Sequence, residues 1–350
     1  MNLFFMEGKW TALVQNQLIW IGVSLGIFLF LHGMKETRMS AVGWYGFVVF
    51  FLLLVFVLFT PPIRGSRRWL DLGFIQFQPS ELFKPFYAFA LAHFAGRWER
   101  AQQPFFFYVR IFLSSAIPFV LIFLEPDLGT GLVYLAGAFF LIPGYPRFRR
   151  KHFFLLLLLI SISLPVLWFF LKPYQRERIV TFFNPLEDPL GKGYQVLQSR
   201  VFIGAGSWWG LGWNEETRRI LSFFPGRRND FFFSVLAGVY GFFGSLFLLL
   251  LFFYLFLRMW VIGLGSADVR AQYFLLAYSG MFFFQSMVHI LVCLGLFPTT
   301  GIPLPLMSVG GSHLLSEAVG FGFASWYRVY YEEEFHRKIE REIMWKRMIK

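Results

Sequence analysis

Asp230 is the residue whose type and place most invite chemistry in this 350-residue chain. It follows Arg227-Arg228-Asn229, closes a polar stretch that starts at Lys172, and directly precedes a long apolar run. Two uses are open to a carboxylate there. It can cap the helix that the apolar run predicts, or it can act as a general base or metal ligand. The two conflict, because a cap position beside arginines lowers a carboxylate pKa and a strong base needs it high. The same stretch carries Arg176, Arg178 and Arg200, whose planar guanidinium forks match phosphate oxygens. It also carries Gln195, Gln198 and Ser199, in a segment patterned like an amphipathic helix lying on a membrane. Gly204, Gly206, Gly210 and Gly212, interleaved with Trp208, Trp209 and Trp213, predict close backbone approach and aromatic packing.

A shorter polar loop, residues 61–79, holds Arg64, Arg67, Arg68 and Trp69. These arginines either clasp a phosphate or sit at a lipid head-group boundary. Pro79-Ser80 predicts the start of a helix capped by Ser80. Glu81 and Lys84, three residues apart, then share one helix face. They form either a structural ion pair or part of a site, since ionisable groups inside a span mark pathways and sites. Glu317, in the last apolar run, needs a partner for the same reason. Glu125-Pro126-Asp127-Leu128-Gly129-Thr130 reads as a turn between helices, or as broken backbone beside a cavity. Residues 295–312, rich in Pro and Gly and including Ser308 and Ser312, predict a rigid or re-entrant element near the site. His289 and His313 read as hydrogen-bonding residues, because no metal-ligand spacing links them. The single cysteine, Cys293, excludes an internal disulfide.

The composition says what kind of scaffold must position these residues. The chain is 57% hydrophobic and 15% charged. A bilayer span needs about 20 apolar residues. Candidate spans are residues 14–34, 42–60, 80–96, 105–124, 128–143, 152–171, 231–257, 271–294 and 309–331. The expected fold class is all-α: a polytopic integral membrane protein, one domain over 1–350, with nine transmembrane helices and a large extracytoplasmic loop at 172–230. Pro118 and Pro165 predict kinks. Lys and Arg cluster after alternate spans and in a basic tail at 332–350, which places those segments in the cytoplasm and 172–230 outside. The net charge of +12 then reflects topology and anionic lipid, with no nucleic acid as partner. Nine spans with a cytoplasmic tail leave the N-terminus outside, an arrangement that predicts a further helix ahead of the first run.

The motifs also occur in a telling order. Arg67-Arg68-Trp69 with Leu72-Gly73 comes first, then Gln78-Pro79-Ser80-Glu81 with Lys84, then Pro126-Asp127-Leu128-Gly129-Thr130. Lys172-Pro173-Tyr174-Gln175-Arg176, Asp188-Pro189-Leu190-Gly191, Gly193-Tyr194-Gln195 and Gln198-Ser199 follow. Asp230-Phe231 and Pro303-Leu304-Pro305 with Ser308, Gly310, Gly311 and Ser312 complete the set. On this ordered set, spread over nearly the whole chain, the sequence resembles the SEDS family of bacterial cell-wall proteins (shape, elongation, division and sporulation). The Lys172–Arg176 stretch is similar to its elongation branch. Three departures stand out: Glu125 where the family has Gln, Asn229 where it has Thr, and Gly238-Val239-Tyr240 in place of an acidic pair.

The resemblance implies ten helices, an outward-facing site in the bacterial cytoplasmic (inner) membrane, and peptidoglycan glycosyltransferase activity on lipid II during cell elongation. It implies Asp230 as the catalytic residue, acting as base or as ligand of a divalent cation, Mg²⁺ or Mn²⁺. Arg67, Arg68, Trp69, Glu81, Lys84, Arg176, Arg178, Gln195, Gln198, Ser199, Arg200, Ser308 and Ser312 become the substrate-binding candidates. The implied partner is a class B penicillin-binding protein, which supplies transpeptidation. Two other readings of the same residues stay open: a lipid II flippase, and a non-catalytic scaffold that activates a partner synthase.

Overall fold

A computed structural model describes residues 11–62, 66–71, 73, 76–99, 104–188, 193–224, 226 and 229–328. Arg64, Leu72, Pro189 to Gly191, Arg227, Arg228 and the 332–350 tail therefore lie outside the described residues. Among the described residues each of the nine apolar runs is a helix, with ends shifted by a few positions. The chain enters through α1 (Ala12–His32) and α2 (Glu36–Val57). A two-stranded antiparallel ribbon, β1 (Leu70–Asp71) and β2 (Gln76–Phe77), precedes α3 (Pro79–Glu99). Then come α4 (Pro104–Leu124), α5 (Leu128–Leu141) and α6 (Arg150–Phe170). The stretch 172–230 folds into three short helices, α7 (Pro173–Phe183), α8 (Tyr194–Ala205) and α9 (Glu215–Ser222). The chain closes with α10 (Phe232–Gly265), α11 (Val269–Leu294) and α12 (residues 311–328).

By length and composition α1, α2, α4, α10 and α11 can each cross a membrane, and α5 with its 3-10 extension to Gly144 is a shorter apolar helix. The burial pattern agrees with lipid as the solvent. Phe30, Phe59 and Phe169 are 66%, 81% and 76% exposed, which water would penalise and hydrocarbon does not. The polytopic all-α membrane fold of the sequence reading holds. The small ribbon is an addition that the reading lacked, and its strands are too short for an alternating pattern to register.

The core is organised around α11, which packs against α3, α5 and α10. Asp268 caps it, accepting from the Arg270 and Ala271 N–H groups at 2.8 and 3.0 Å, and left-handed Gly295 ends it. Helix α2 lies close on α3 because Gly43 and Gly46 face Phe89 and Phe86. A methyl group at either glycine would come within 2.4 or 2.2 Å of the ring. Small residues at such contacts let helices approach where no hydrophobic driving force exists.

Helix α10 holds the main surprise. The apolar run predicts a continuous helix, yet Gly241 breaks it with φ 67° and ψ −162°. Backbone from the Gly/Trp cluster fills the break. Leu211 and Gly212 N–H groups donate to Gly238 and Val239 carbonyls at 3.0 Å each. Phe242 and Phe243 N–H groups donate to Ser207 and Trp208 carbonyls at 2.8 and 3.2 Å. Irregular backbone survives in a membrane protein when other protein groups satisfy it. The glycines at 206 and 210 are needed for that approach, since a methyl at Gly210 would meet the Val239 carbonyl oxygen at 2.1 Å. The polar stretch is thereby pinned to the helix that starts just after Asp230.

Candidate active site

Asp230 does not cap α10. The cap position is Phe231, which has no side chain to bond the helix N-terminus. Asp230 sits one residue earlier, in a turn closed by Asn229 and Phe231 N–H groups donating to the Gly226 carbonyl at 3.1 Å each. Its carboxylate is thus not spent on the helix. The main chain of this turn is held from three sides. The Ser308 hydroxyl donates to the Asn229 carbonyl at 3.0 Å and accepts from the Leu304 N–H at 2.9 Å. The Cys293 thiol lies 3.8 Å from the Asp230 carbonyl. His289, buried on α11, bridges Nδ1 to the Ile302 carbonyl at 2.8 Å and Nε2 to the Phe233 N–H at 3.4 Å. A carbonyl partner requires Nδ1–H and an N–H partner requires a bare Nε2, so the ring is a single neutral tautomer.

His289 therefore ties the first turn of α10 to the loop that faces Asp230, with no bond to Asp230 itself. Replacing it with Leu should lower kcat about 10- to 100-fold through misplacement of Asp230, with KM little changed. His289→Gln, which can donate to Ile302 and accept from Phe233, should recover most of that loss. Equal loss in both variants would mean that packing alone is at stake.

Two cavities meet at Asp230. One, of about 300 Å³, lies against α7 and α8 and is lined by Glu177, Arg178, Thr181, Phe182, Gln195, Phe297 and Thr299, among others. The second, of about 320 Å³, lies against the ribbon and the starts of α3 and α12. Arg68, Trp69, Gln76, Gln78, Glu81, Ser312 and His313 contribute to its wall. Arg178, Asp230 and Gly301 line both. Gly301 has φ 75°, and a methyl there would sit 4.0 Å from Asp230 Oδ2. Arg178 is steadied by a 3.1 Å bond to the Thr299 carbonyl.

Burial acts against the low pKa that the sequence suggests for Asp230, whose flanking Arg227 and Arg228 lie outside the described residues. Burial raises its pKa above the usual carboxylate range; Arg68 and Arg178 pull it down, and Asp127 pushes it up. The desolvation cost outweighs the two guanidiniums. Asp127 is the residue that sequence reasoning left out of the site. It caps α5, accepting from the Thr130 N–H at 3.2 Å and the Thr130 hydroxyl at 3.0 Å. It also takes Gln78 Nε2 at 2.8 Å and Arg68 at 3.4 Å. Its signal was present: an Asp three residues before a Thr after a helix break is a cap pattern. The predicted cap at Ser80 is displaced, because α3 starts at Pro79 and the Ser80 hydroxyl instead accepts from Gln78 Nε2 at 3.0 Å.

Glu125 is wholly buried in the turn before Asp127, and neither of its carboxyl oxygens has a partner. Burial, and then the Asp127 charge, push it up to about 10. The folded chain then holds a proton that the unfolded chain releases above its ordinary pKa of 4.5. Stability should fall as pH rises through that window. Glu125→Gln, neutral at every pH, should raise the thermal midpoint at pH 8 and leave it nearly unchanged at pH 4. A lowered midpoint at pH 8 would contradict the assignment.

Of the predicted site residues, the structure brings Arg68, Trp69, Glu81, Arg178, Gln195, Ser312 and Asp230 to the cavities. Others are engaged elsewhere. Arg67 bonds the Leu58 carbonyl at 3.1 Å, beyond the end of α2. Arg176 bonds the Trp168 and Phe169 carbonyls at 3.1 and 2.9 Å, closing the end of α6. Arg200 bonds the Gly295 carbonyl at 2.7 Å. Ser199, fully buried, bonds Ser234 and the Cys293 carbonyl, both at 2.5 Å, and Ser308 serves the turn as described. Gln198 is half-buried on α8 and lines neither cavity. Lys84 lies 2.7 Å from Glu81, 3.6 Å from Glu317 and 2.6 Å from Gln285 Oε1. Glu317 also accepts from the Tyr278 hydroxyl at 2.6 Å.

With this geometry in hand the chain can be placed among known proteins. Peptidoglycan glycosyltransferase MrdB of Escherichia coli K12 is 37% identical over 292 residues, covering 80% of this chain and 76% of that one. A probable peptidoglycan glycosyltransferase FtsW of Nitrosomonas europaea is 32% identical over 322 residues, covering 90% and 82%. Among solved structures, a chain of a peptidoglycan synthase complex that coordinates polymerization and crosslinking superposes with a TM-score of 0.75. It is 32% identical and covers 91% of this chain and 90% of that one. The rod shape determining protein RodA of Thermus thermophilus superposes at 0.67, 26% identical, covering 94% and 91%. The profile of the cell cycle protein family FtsW/RodA/SpoVE matches residues 4–331, so the chain belongs to that family.

Proposed function

We propose that this chain is a peptidoglycan glycosyltransferase that polymerises lipid II in the bacterial inner membrane during cell elongation. The observation that carries the reading is the position of Asp230: a carboxylate of raised pKa where two cavities meet, between Arg68 and Arg178. Glycosyl transfer between two lipid-linked sugars needs two sugar sites that share one base. Asp230 accepts the proton of the attacking hydroxyl. Arg68 and Arg178 stabilise negative charge as the prenyl pyrophosphate departs. The site faces outward, as the distribution of Lys and Arg in the loops supports.

Among the described residues no group of three His, Cys, Asp or Glu could hold a metal alone. Asp230, in the wall of both cavities, fits an ion that arrives on substrate phosphate oxygens, which is how Mg²⁺ is usually held. A bound Mg²⁺ or Mn²⁺ would neutralise charge on the leaving pyrophosphate. A class B penicillin-binding protein is the proposed partner, supported by the likeness to a synthase complex. The deeper ions support synthesis over transport, because Glu81, Lys84 and Glu317 are locked to one another inside the helix packing.

Release of undecaprenyl pyrophosphate from lipid II in detergent micelles tests this reading, since micelles have no sides to flip between. A synthase releases it, and chelation of divalent cations suppresses the release. A flippase or a scaffold releases none.

A further inference from the structure

No described residue of α1 lines either cavity at Asp230, yet α1 holds one wall of the ribbon-side cavity from behind. We infer that Gln17 is a positioning residue for the reaction: it fixes the Gly310 peptide, and with it the wall formed by Val309 to His313, in the shape that receives substrate. This assignment rests on the glycosyltransferase reading.

All five residues from Val309 to His313 line that cavity, and they join the Pro-rich loop to the start of α12. Gly310 has φ 155°, a value open to glycine, and a methyl there would come within 3.0 Å of His313 Nδ1. Its N–H donates to Gln17 Oε1 at 3.2 Å. A peptide N–H can only donate, so the Gln17 amide is fixed with its oxygen towards Gly310. Trp20 lies against the next residue: a methyl at Gly311 would meet Trp20 Cε2 at 2.4 Å. Gln17 and Trp20, three residues apart, share one face of α1, whereas Gln15 and Asn16 are exposed. Further along the same wall the Ser312 hydroxyl accepts from the Gln78 N–H at 3.3 Å. Gln78 Nε2 in turn reaches Asp127, the partner of Arg68. The wall is thus clamped between α1 and the start of α3.

Fastening α1 to α12 does not need Gln17. The two helices meet again at their other ends. There His32 Nδ1 bonds Ser325 Oγ at 2.8 Å, Leu31 packs on Gly322, and Trp326 Nε1 donates to the Met34 carbonyl at 2.8 Å. What Gln17 supplies is an acceptor for a backbone donor where the chain is irregular, and backbone donors away from water need partners. Without that acceptor the freedom of glycine lets the Gly310 peptide turn towards another partner. Ser312 and His313, the next polar residues of the wall, would shift with it.

The apparent KM for lipid II, kcat and the thermal midpoint are measured on the full chain as wild type, Gln17→Leu, Gln17→Glu and Ser325→Ala. Gln17→Leu keeps the bulk and removes the acceptor. It should raise KM about tenfold, with kcat within about threefold and the midpoint within about 2 °C. Gln17→Glu, which still accepts, should keep KM within about twofold of wild type. Ser325→Ala, which cuts the bond at the other end of the α1–α12 seam, should leave KM unchanged. Direct binding of lipid II is measured in the Asp230→Asn background, where turnover does not consume it. Adding Gln17→Leu there should weaken binding by the same factor of about ten. Unchanged KM and binding in Gln17→Leu would overturn the assignment. So would an equal rise in KM for Gln17→Glu or for Ser325→Ala, or a fallen midpoint that accompanies the loss. Polymer from wild type in the same assay upholds the glycosyltransferase reading in each of those cases. Absence of polymer from wild type would instead remove that reading, while the binding arm still judges Gln17.

Discussion

Lys84→Met should destabilise the fold by about 3–5 kcal/mol, the cost of removing one partner from a buried ion cluster. Lys84, Glu81 and Glu317 have side chains only 3–4% exposed, and the lysine is the shared cation, 2.7 and 3.6 Å from the two carboxylates. Methionine keeps the volume and removes the charge. Two carboxylates would then face each other across α3 and α12 with no cation between them. Gln285, which accepts from Lys84 and donates to the Pro303 carbonyl at 3.0 Å, would lose its tie to α3. The thermal midpoint in detergent should fall by roughly 5–15 °C. Converting Glu81 and Glu317 to Gln in the same chain should recover most of it, because a neutral set of similar shape carries no desolvation debt. An unchanged midpoint for Lys84→Met would show that the cluster contributes nothing to stability.

Asp230→Asn should cut kcat by about 10²–10⁴, the range for loss of a general base, and leave the thermal midpoint within a degree or two. The small stability effect follows from geometry. Asp230 caps no helix, and the turn is held by main-chain bonds and by Ser308, Cys293 and His289. The pH dependence should carry the same signature. Burial sets the Asp230 pKa above that of an ordinary carboxylate. A base works only when ionised, so kcat/KM of wild type should fall as pH drops through that raised pKa. The acid limb should vanish from whatever rate Asp230→Asn retains. An acid limb at the position of an unperturbed carboxylate would mean that Arg68 and Arg178 outweigh burial.

The scaffold was legible because lipid imposes one rule: a spanning helix is a run of apolar residues. All nine runs are helices for that reason, and Glu81, Lys84 and Glu317 pair because ions inside spans must. Local patterns carried less. The Gly241 break went unseen, since its cause is four hydrogen bonds from residues about 30 positions earlier in the chain. Arg67, Arg176 and Arg200 are phosphate-ligand candidates by type, and none lines the two cavities at Asp230. Each proves to be bonded to a main-chain carbonyl, which spacing cannot foretell. Asp230 looked like a cap by position, and the helix begins one residue later than the apolar run suggests. The burial that raises its pKa is a property of the fold, whereas neighbouring arginines can be read from the chain. Gly301 and Asp127 belong to the site only through long-range contact, and ordered motifs could place them in the family without placing them beside Asp230.

The strand-length distribution made by the purified wild-type chain tests the central claim most directly. The chain is supplied with lipid II and a divalent cation in detergent, with and without its partner, and with every other glycosyltransferase absent. Wild type should build glycan strands many disaccharides long, and Asp230→Asn should leave the lipid II monomeric. No strands from wild type under either condition, or equal strands from both forms, would contradict the account.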